Sequence, residues 1–386
     1  MSDGIVIAGG GLAAQRGAEA LRRHGYEGRL RMICGEAYRP YDRPPLSKEI
    51  LSGDREAGSL HFRAGDWYAE HAVDLLVGTR AASLSPHERR VRLSDGSTLT
   101  YDKLLIATGS RPRRLGVLDG YDNVSELRTL DDALRLRDVL ASRPRLTVVG
   151  AGFVGMEVAA TARKLGAEVT MIEAAPRPLI GVLGERMGNW FADLHRAEGV
   201  DVLTSSTVTG VSGADEARTL RVSDGRRLET DHVVVGIGAE PDAGWLASSG
   251  LDVRGVRVDS HGRTEIDGVF AAGDVASTYD DRLRRHLPGS HWEAAGRQAA
   301  RAARAMLALD PGDAELSSFW TDQYGIRIQY VGHAPLADAL AIDGEPHARD
   351  FTATYTRAGR PVGALLVNRT RSLPAVRKLI NEGDPT

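Results

Sequence analysis

An α/β fold is predicted by three features of this 386-residue sequence. Glycine-rich turns stand at Gly9-Gly10-Gly11-Leu12-Ala13-Ala14 and, about 140 residues later, at Gly150-Ala151-Gly152-Phe153-Val154-Gly155. Each follows a strand-sized apolar run, Ile5 to Ala8 and Leu146 to Val149, and leads into a helical pattern. Each is followed by a second apolar run that closes on a carboxylate, Glu36 after Leu30 to Ile33 and Glu173 after Val169 to Ile172. Together these predict two Rossmann-like dinucleotide-binding domains. The last 75 or so residues change to alternating segments, among them Ile326 to Val331 and Phe351 to Tyr355, and predict a small C-terminal α+β domain.

The spacing within each turn has a chemical reason. The first glycine allows the tight turn, the second lets a pyrophosphate approach the backbone N–H groups, and the third lets the helix lie close on its strand. The helix N-terminus then faces the negative charge, and the downstream carboxylate accepts hydrogen bonds from ribose hydroxyls. In the first turn Ala14 replaces the third glycine. Two nucleotides on one polypeptide outline a flavoprotein that takes electrons from a nicotinamide; spacing alone does not say which turn takes which.

In chain order, the pattern gives a strand at 5–8, a helix from Ala13 to His24 and a strand at 30–34. A Pro-rich loop from Arg39 to Lys48 follows, then short strands Arg89 to Leu93 and Thr98 to Tyr101 joined by the turn Ser94-Asp95-Gly96. Leu104 to Ile106 is an apolar strand that ends in Ala107, Thr108 and Gly109, small residues that let backbone approach a ligand. The β-α-β logic repeats across 111–235 and ends at Val233 to Val235 and Gly236-Ile237-Gly238. Val269 to Ala272 is one more apolar strand, closing at Gly273-Asp274, where Asp274 is either a ligand carboxylate or a helix N-cap. The expected domains are 1–110 with 236–311, then 111–235, then 312–386.

Hydrophobic content of 42% and charged content of 26% are those of a soluble globular chain. No apolar run is long enough to span a membrane, and the first strand begins too early to leave room for a signal peptide, so a cytoplasmic location is expected. A net charge of -3 gives no reason to expect nucleic acid as a partner. Cys34 is the only cysteine. A relay through a thiol pair is therefore excluded, and no familiar ligand set for an iron-sulfur cluster or other metal is present. Cys34 itself, at the end of an apolar strand, reads as a buried structural thiol.

The segments GGGLAA, PYDRPPLSK, LLIATGSRPR, GAGFVGMEVAATARKLGAEVTMIEAAPR, GIGAEPD, VFAAGDVA, HWEAA and SFWTDQY cover essentially the whole chain. With them the sequence resembles the NADH-dependent, FAD-containing ferredoxin reductases of bacterial oxygenase systems, the putidaredoxin, rubredoxin and biphenyl dioxygenase reductase type. The resemblance implies a glutathione-reductase-like flavoprotein architecture with FAD on the first turn, NADH on the second, and a transiently docked iron-sulfur ferredoxin as partner. It implies that Gly9, Gly11, Leu12 and Ala13 hold the FAD pyrophosphate and Glu36 its ribose, with further flavin contacts from Arg43, Lys48, Ala81, Ala107, Thr108, Gly109, Arg128 and Gly273. Asp274 matches a carboxylate at the ribityl chain, and Trp292 and Trp320 match tryptophans beside the isoalloxazine. On the NADH side it implies Gly150, Gly152, Phe153, Val154, Gly155, Glu157, Glu173, Arg177, Gly236, Ile237 and Gly238.

Lys48 and Glu157 are the pair expected to carry the chemistry: a Lys ammonium near flavin N5 offsets charge arriving with the hydride, and a Glu carboxylate holds it in place. The plain alternative is a solvated salt bridge. Glu173 predicts NADH over NADPH, because like charges about 4 Å apart cost on the order of 4 kcal/mol at an effective dielectric of 20, roughly three decades of preference. The chain departs from the family pattern at Ser290, Ala294, Gly181 and Thr321, where relatives often carry Glu, Asn, Arg and Ser. Arg282, Arg284 and Arg285, just before Trp292, form a candidate docking cluster. The expected acceptor serves a cytochrome P-450 or a ring-hydroxylating oxygenase; an NADH oxidase reducing O₂ and a non-catalytic NADH-sensing flavoprotein are the rival readings.

Overall fold

The run Ile5–Ala8 is a fully buried strand at the middle of a parallel sheet ordered Val269–Ala271, Lys103–Ile106, Ile5–Ala8, Leu30–Ile33, Val73–Leu76. Both faces of such a sheet are covered, so its central strands read as continuous apolar runs rather than alternating ones. The computed structural model describes residues 3–281, 283–289, 292–312 and 316–382. It divides into two units, and this sheet belongs to the first, made of Met1–Asp42, Leu60–Arg111 and Glu240–Glu315.

From Gly11 the chain enters the helix Leu12–Arg23, within one residue of the expected bounds. Its buried face carries Ala13, Ala14, Gly17, Ala18 and Ala20, and it packs on the alanine face of the helix Trp292–Met306 in one core with Leu21, Met32 and Phe270. Small side chains let the two helices approach closely. Two sheets of three strands complete the unit: an antiparallel one, Ala81–Ser85 with Arg90–Leu93 and Thr98–Thr100, and a mixed one, in which Ala276–Asp280 pairs parallel with Val256–Val258 and antiparallel with Arg285–Pro288. After Gly273-Asp274 the chain turns and enters the strand Ala276–Asp280. No helix follows Asp274, so the N-cap reading of that residue is corrected.

The second unit comprises Arg43–Ser59, Pro112–Ala239 and Leu316–Thr386. Its parallel sheet runs Asp201–Leu203, Glu168–Ile172, Arg145–Val149, His232–Val235, Val124–Ser125, and the helix Phe153–Lys164 follows the second glycine turn. A longer helix, Ile180–Ala197, is broken at Gly184, whose φ of 75° interrupts the helical backbone. The C-terminal segment forms an antiparallel sheet ordered Ser318–Gln323, Ile326–Gly332, Arg360–Val367, Asp350–Arg357, Ala339–Glu345, backed by the helix Leu373–Glu382. Its inward residues Ile328, Phe351 and Tyr355 share one core with Leu183, Met187 and Phe191 of the broken helix. The loop Arg43–Ser59 contributes a turn of tighter helix at Pro44–Ser47 and a short helix at Glu49–Ser52. Among the described residues no helix is long and apolar enough to cross a membrane.

Candidate functional site

The two glycine turns share one construction. Gly9 has φ +143°, and a Cβ there would lie 2.0 Å from the Ala107 carbonyl oxygen; Gly150 has φ +103°, and its Cβ would lie 2.4 Å from the Gly236 carbonyl oxygen. A Cβ on Gly155 would meet the Gly150 carbonyl oxygen at 2.2 Å, which shows how closely that helix lies on its turn. The middle glycines differ in kind: around Gly11 no protein atom lies within 4 Å of a built Cβ, and around Gly152 the nearest is at 3.8 Å. The outer glycines are demanded by the fold, whereas the middle ones leave open space where a pyrophosphate can approach backbone. On this observation both turns fit a dinucleotide.

Around the first turn, the Tyr41 hydroxyl donates to Glu36 Oε2 at 2.5 Å, Ser110 Oγ donates to Asp274 Oδ2 at 2.8 Å, and Thr108 Oγ1 donates to the Asp242 carbonyl at 2.6 Å. Gly273, with φ +81°, donates its N–H to Gln298 Oε1 at 3.0 Å, and its missing Cβ would touch Ala13 at 3.1 Å. The Trp292 indole N–H donates to Asp42 Oδ1 at 2.8 Å, a partner inside the Pro-rich motif that sequence reasoning did not single out. Gly9, Gly11, Leu12, Ala13, Glu36, Ala81, Ala107, Thr108, Gly109, Gly273, Asp274 and Trp292 all fall in the first unit. Arg43, Lys48, Arg128 and Trp320 fall in the second, where Arg43 donates to the Arg128 carbonyl at 2.6 Å and the Arg327 guanidinium lies 5.3 Å above the Trp320 ring. Cys34 is buried, and burial with the nearby Glu36 charge pushes its thiol up to about 12.

At the second turn Glu173 holds backbone with both oxygens: Ala151 N–H donates to Oε2 and Ala175 N–H to Oε1, each at 2.7 Å. Phe153 packs on Phe319 with ring centroids 4.5 Å apart, Val154 is exposed, and the Gly238 carbonyl accepts from Arg113 N–H at 3.0 Å. Ile237 packs, partly buried, against the core that holds Val149, Ile172 and Val235. Arg177 donates to the Pro176 carbonyl at 2.6 Å, and its buried Nε meets no acceptor among the described residues. Of the departures, Gly181 lies in open space and Ala294 is in the helix Trp292–Met306. Ser290 and Arg282 lie outside the described residues; Arg285 begins the strand Arg285–Pro288, and Arg284 precedes it.

Lys48 and Glu157 come together as a buried pair. Lys48 Nζ is 2.8 Å from Glu157 Oε2, with side-chain exposures of 13% and 7%, so this is not a solvated surface bridge. Ser47 Oγ donates to the same Oε2 at 2.5 Å, and Thr321 Oγ1 donates to Oε1 at 2.7 Å. Thr161, one helical turn beyond Glu157, donates to the Ser47 carbonyl at 2.7 Å and ties the loop to the helix. Lys48 Nζ also donates to the Pro44 carbonyl at 2.9 Å. Sequence reasoning missed Ser47 as a partner and noted Thr321 only as a departure; the available signal was that both adjoin singled-out residues, Lys48 and Trp320. Among the described residues no group of His, Cys, Asp and Glu is placed to hold a metal.

Residues 3–302 match the family described as pyridine nucleotide-disulphide oxidoreductase, and residues 318–386 match the reductase C-terminal family. The chlorobenzene dioxygenase ferredoxin reductase component of Cupriavidus sp. is 42% identical over 383 residues, covering 98% of this chain and 93% of that protein. The anthranilate 1,2-dioxygenase system ferredoxin–NAD(+) reductase component of Burkholderia cepacia is 38% identical over 385 residues, covering 99% and 95%. The crystal structure of the covalent putidaredoxin reductase–putidaredoxin complex superposes with a TM-score of 0.95 at 34% identity, covering 98% of this chain and 93% of that one.

Proposed function

This chain belongs to the pyridine nucleotide-disulphide oxidoreductase family, and from that premise we propose that it is an FAD-dependent NADH:ferredoxin oxidoreductase. It moves electrons from NADH through FAD to a small iron-sulfur ferredoxin that serves a ring-hydroxylating oxygenase or a cytochrome P-450. When bound, FAD supplies the conversion of a two-electron hydride into single electrons. The observation that carries the reading is the buried Lys48–Glu157 contact at 2.8 Å, in a chain whose two glycine turns both leave space for a dinucleotide.

Gly9, Gly11, Leu12, Ala13, Glu36 and Asp274 hold FAD, with Arg43, Arg128, Trp292 and Trp320 as further contacts. Gly150, Gly152, Gly155 and Glu173 hold NADH. Lys48 presents a positive charge to the reacting ring system, and Glu157 fixes where that ammonium sits. With one cysteine, and that one buried, the chain has no thiol pair to relay electrons, so they leave for a separate protein. The loop position that would carry a redox cysteine in an NADH oxidase reads Ser47-Lys48, and Ser47 is committed to Glu157. The protein works in the cytoplasm.

Steady-state reduction of cytochrome c by NADH, with and without an added ferredoxin, tests the function: strong stimulation by the ferredoxin is expected, and rapid O₂ consumption without it would favour the oxidase. Lys48→Met is expected to slow flavin reduction in stopped flow while leaving FAD content unchanged. An unaltered rate removes Lys48 from the chemistry.

A further inference from the structure

Behind the Lys48–Glu157 pair a single file of hydrogen bonds runs through the core of the second unit. Thr321 Oγ1 donates to Glu157 Oε1 at 2.7 Å, and Gln323 Nε2 donates to Thr321 Oγ1 at 3.1 Å. Gln323 Oε1 lies 2.9 Å from His195 Nε2, and His195 Nδ1 lies 2.8 Å from the Tyr324 hydroxyl. Thr321, Gln323 and His195 are 0%, 2% and 1% exposed, so water does not compete for these groups.

The direction of the chain is set at its carboxylate end. A carboxylate only accepts, so the Thr321 hydroxyl donates to it and is left to accept from the Gln323 amide. That turns the Gln323 carbonyl oxygen toward His195, whose proton must then sit on Nε2, and the bare Nδ1 accepts a hydrogen bond from the Tyr324 hydroxyl. The reverse order would press a lone pair of Thr321 against Glu157. Burial pushes the His195 imidazole down to about 4, so the ring carries one N–H at neutral pH. An amide does not pass protons along such a file, so the chain orients and does not conduct.

We propose that Thr321, Gln323 and His195 are positioning residues for the Lys48–Glu157 pair: their one-way donor chain pins Glu157 Oε1, leaving Oε2 fixed toward Lys48 and Ser47. This rests on the role given above to Lys48 and Glu157. From the loop, Lys48 and Ser47 face Glu157; from its own helix, Thr161 holds Ser47; at the far end, Glu198, Arg163 and Arg349 act electrostatically on Tyr324.

The test uses the FAD-loaded enzyme. ¹⁵N NMR of ring-labelled histidine is expected to show His195 protonated on Nε2 and bare on Nδ1, and Glu157→Gln, which can donate at its own end, is expected to release the opposite tautomer. Thr321→Val keeps shape and removes the donor; it is expected to slow flavin reduction by about tenfold or more with the Kd for NADH unchanged, and Thr321→Ser to restore the rate. A single Nδ1–H tautomer in the wild type overturns the proposal, as does a wild-type reduction rate in a folded Thr321→Val. If Thr321→Val does not fold, the wild-type tautomer decides alone. A silent Lys48→Met would instead sink the reading of the pair, whatever the tautomer.

Discussion

Glu173 uses both carboxylate oxygens on main-chain donors, Ala151 N–H and Ala175 N–H, so its side chain is fixed before any ligand arrives. A fixed carboxylate cannot swing away from a 2′-phosphate, which sharpens the expected discrimination. Glu173→Ala is expected to raise the NADPH to NADH ratio of kcat/KM by roughly two to three decades and to lower stability by about 2 kcal/mol through the two orphaned N–H groups. A lower Tm with an unchanged ratio would reduce Glu173 to a fastener of the turn. Two buried imidazoles set a pH limit on stability. Burial pulls His195 and His232 from 6.5 down to about 4 each. Between those values the unfolded chain binds protons that the folded one refuses. Their contribution is therefore fully present above about pH 6.5 and is lost as pH falls toward 4, on the order of 3 kcal/mol per imidazole. Denaturant unfolding at pH 7 and at pH 4.5 checks the drop, and His232→Asn is expected to flatten the slope between them.

At the scale of elements, the two strand-turn-helix units were legible because their glycines answer to backbone geometry that no other residue meets. Gly9 is the sharpest case, with φ +143° and a carbonyl oxygen 2.0 Å from where a Cβ would sit. Gly9→Ala is expected to destabilise the fold by about 3 kcal/mol or more. Gly11 has ordinary extended backbone and open space around it, so Gly11→Ala is expected to keep the apoprotein's Tm within a degree or two while weakening FAD binding at least tenfold. Equal losses of Tm in both variants would contradict this division of labour. The partners of the site were not legible in the same way. The Lys48–Glu157 contact was expected from motif positions, yet Ser47, Thr321, Gln323 and His195 reach it from a loop, a strand and a helix far apart in sequence, and no local periodicity records such a meeting. Asp274 shows the opposite limit: Asp before a helix and Asp before a turn look alike in one dimension, and only the strand Ala276–Asp280 tells them apart.

For the whole molecule, the sequence reads as a discontinuous first domain, 1–110 with 236–311, followed by 111–235 and 312–386, and the C-terminal sheet lies in the same unit as Pro112–Ala239. Leu183, Met187 and Phe191 on the helix Ile180–Ala197 bury against Ile328, Phe351 and Tyr355. The Tyr355 hydroxyl donates to the buried Leu183 carbonyl at 2.8 Å, next to the break at Gly184. Trp190 meets Phe351 edge-on at 5.1 Å, and Arg349 pairs with Glu198 at 2.5 Å. The same sheet supplies Thr321 and Gln323 to the file of hydrogen bonds that ends on Glu157. Deleting residues 316–386 therefore does more than remove an appendage. It returns the apolar face of a long helix to water, at about 1.5–3 kcal/mol for each large side chain, against a total stability on the order of 5–15 kcal/mol. It also strips Glu157 of its Oε1 partner. The truncated chain is expected to lose its cooperative unfolding transition and to bind a hydrophobic dye at neutral pH. A sharp thermal transition within a few degrees of the full-length protein would mean that the helix Ile180–Ala197 closes its core without the sheet.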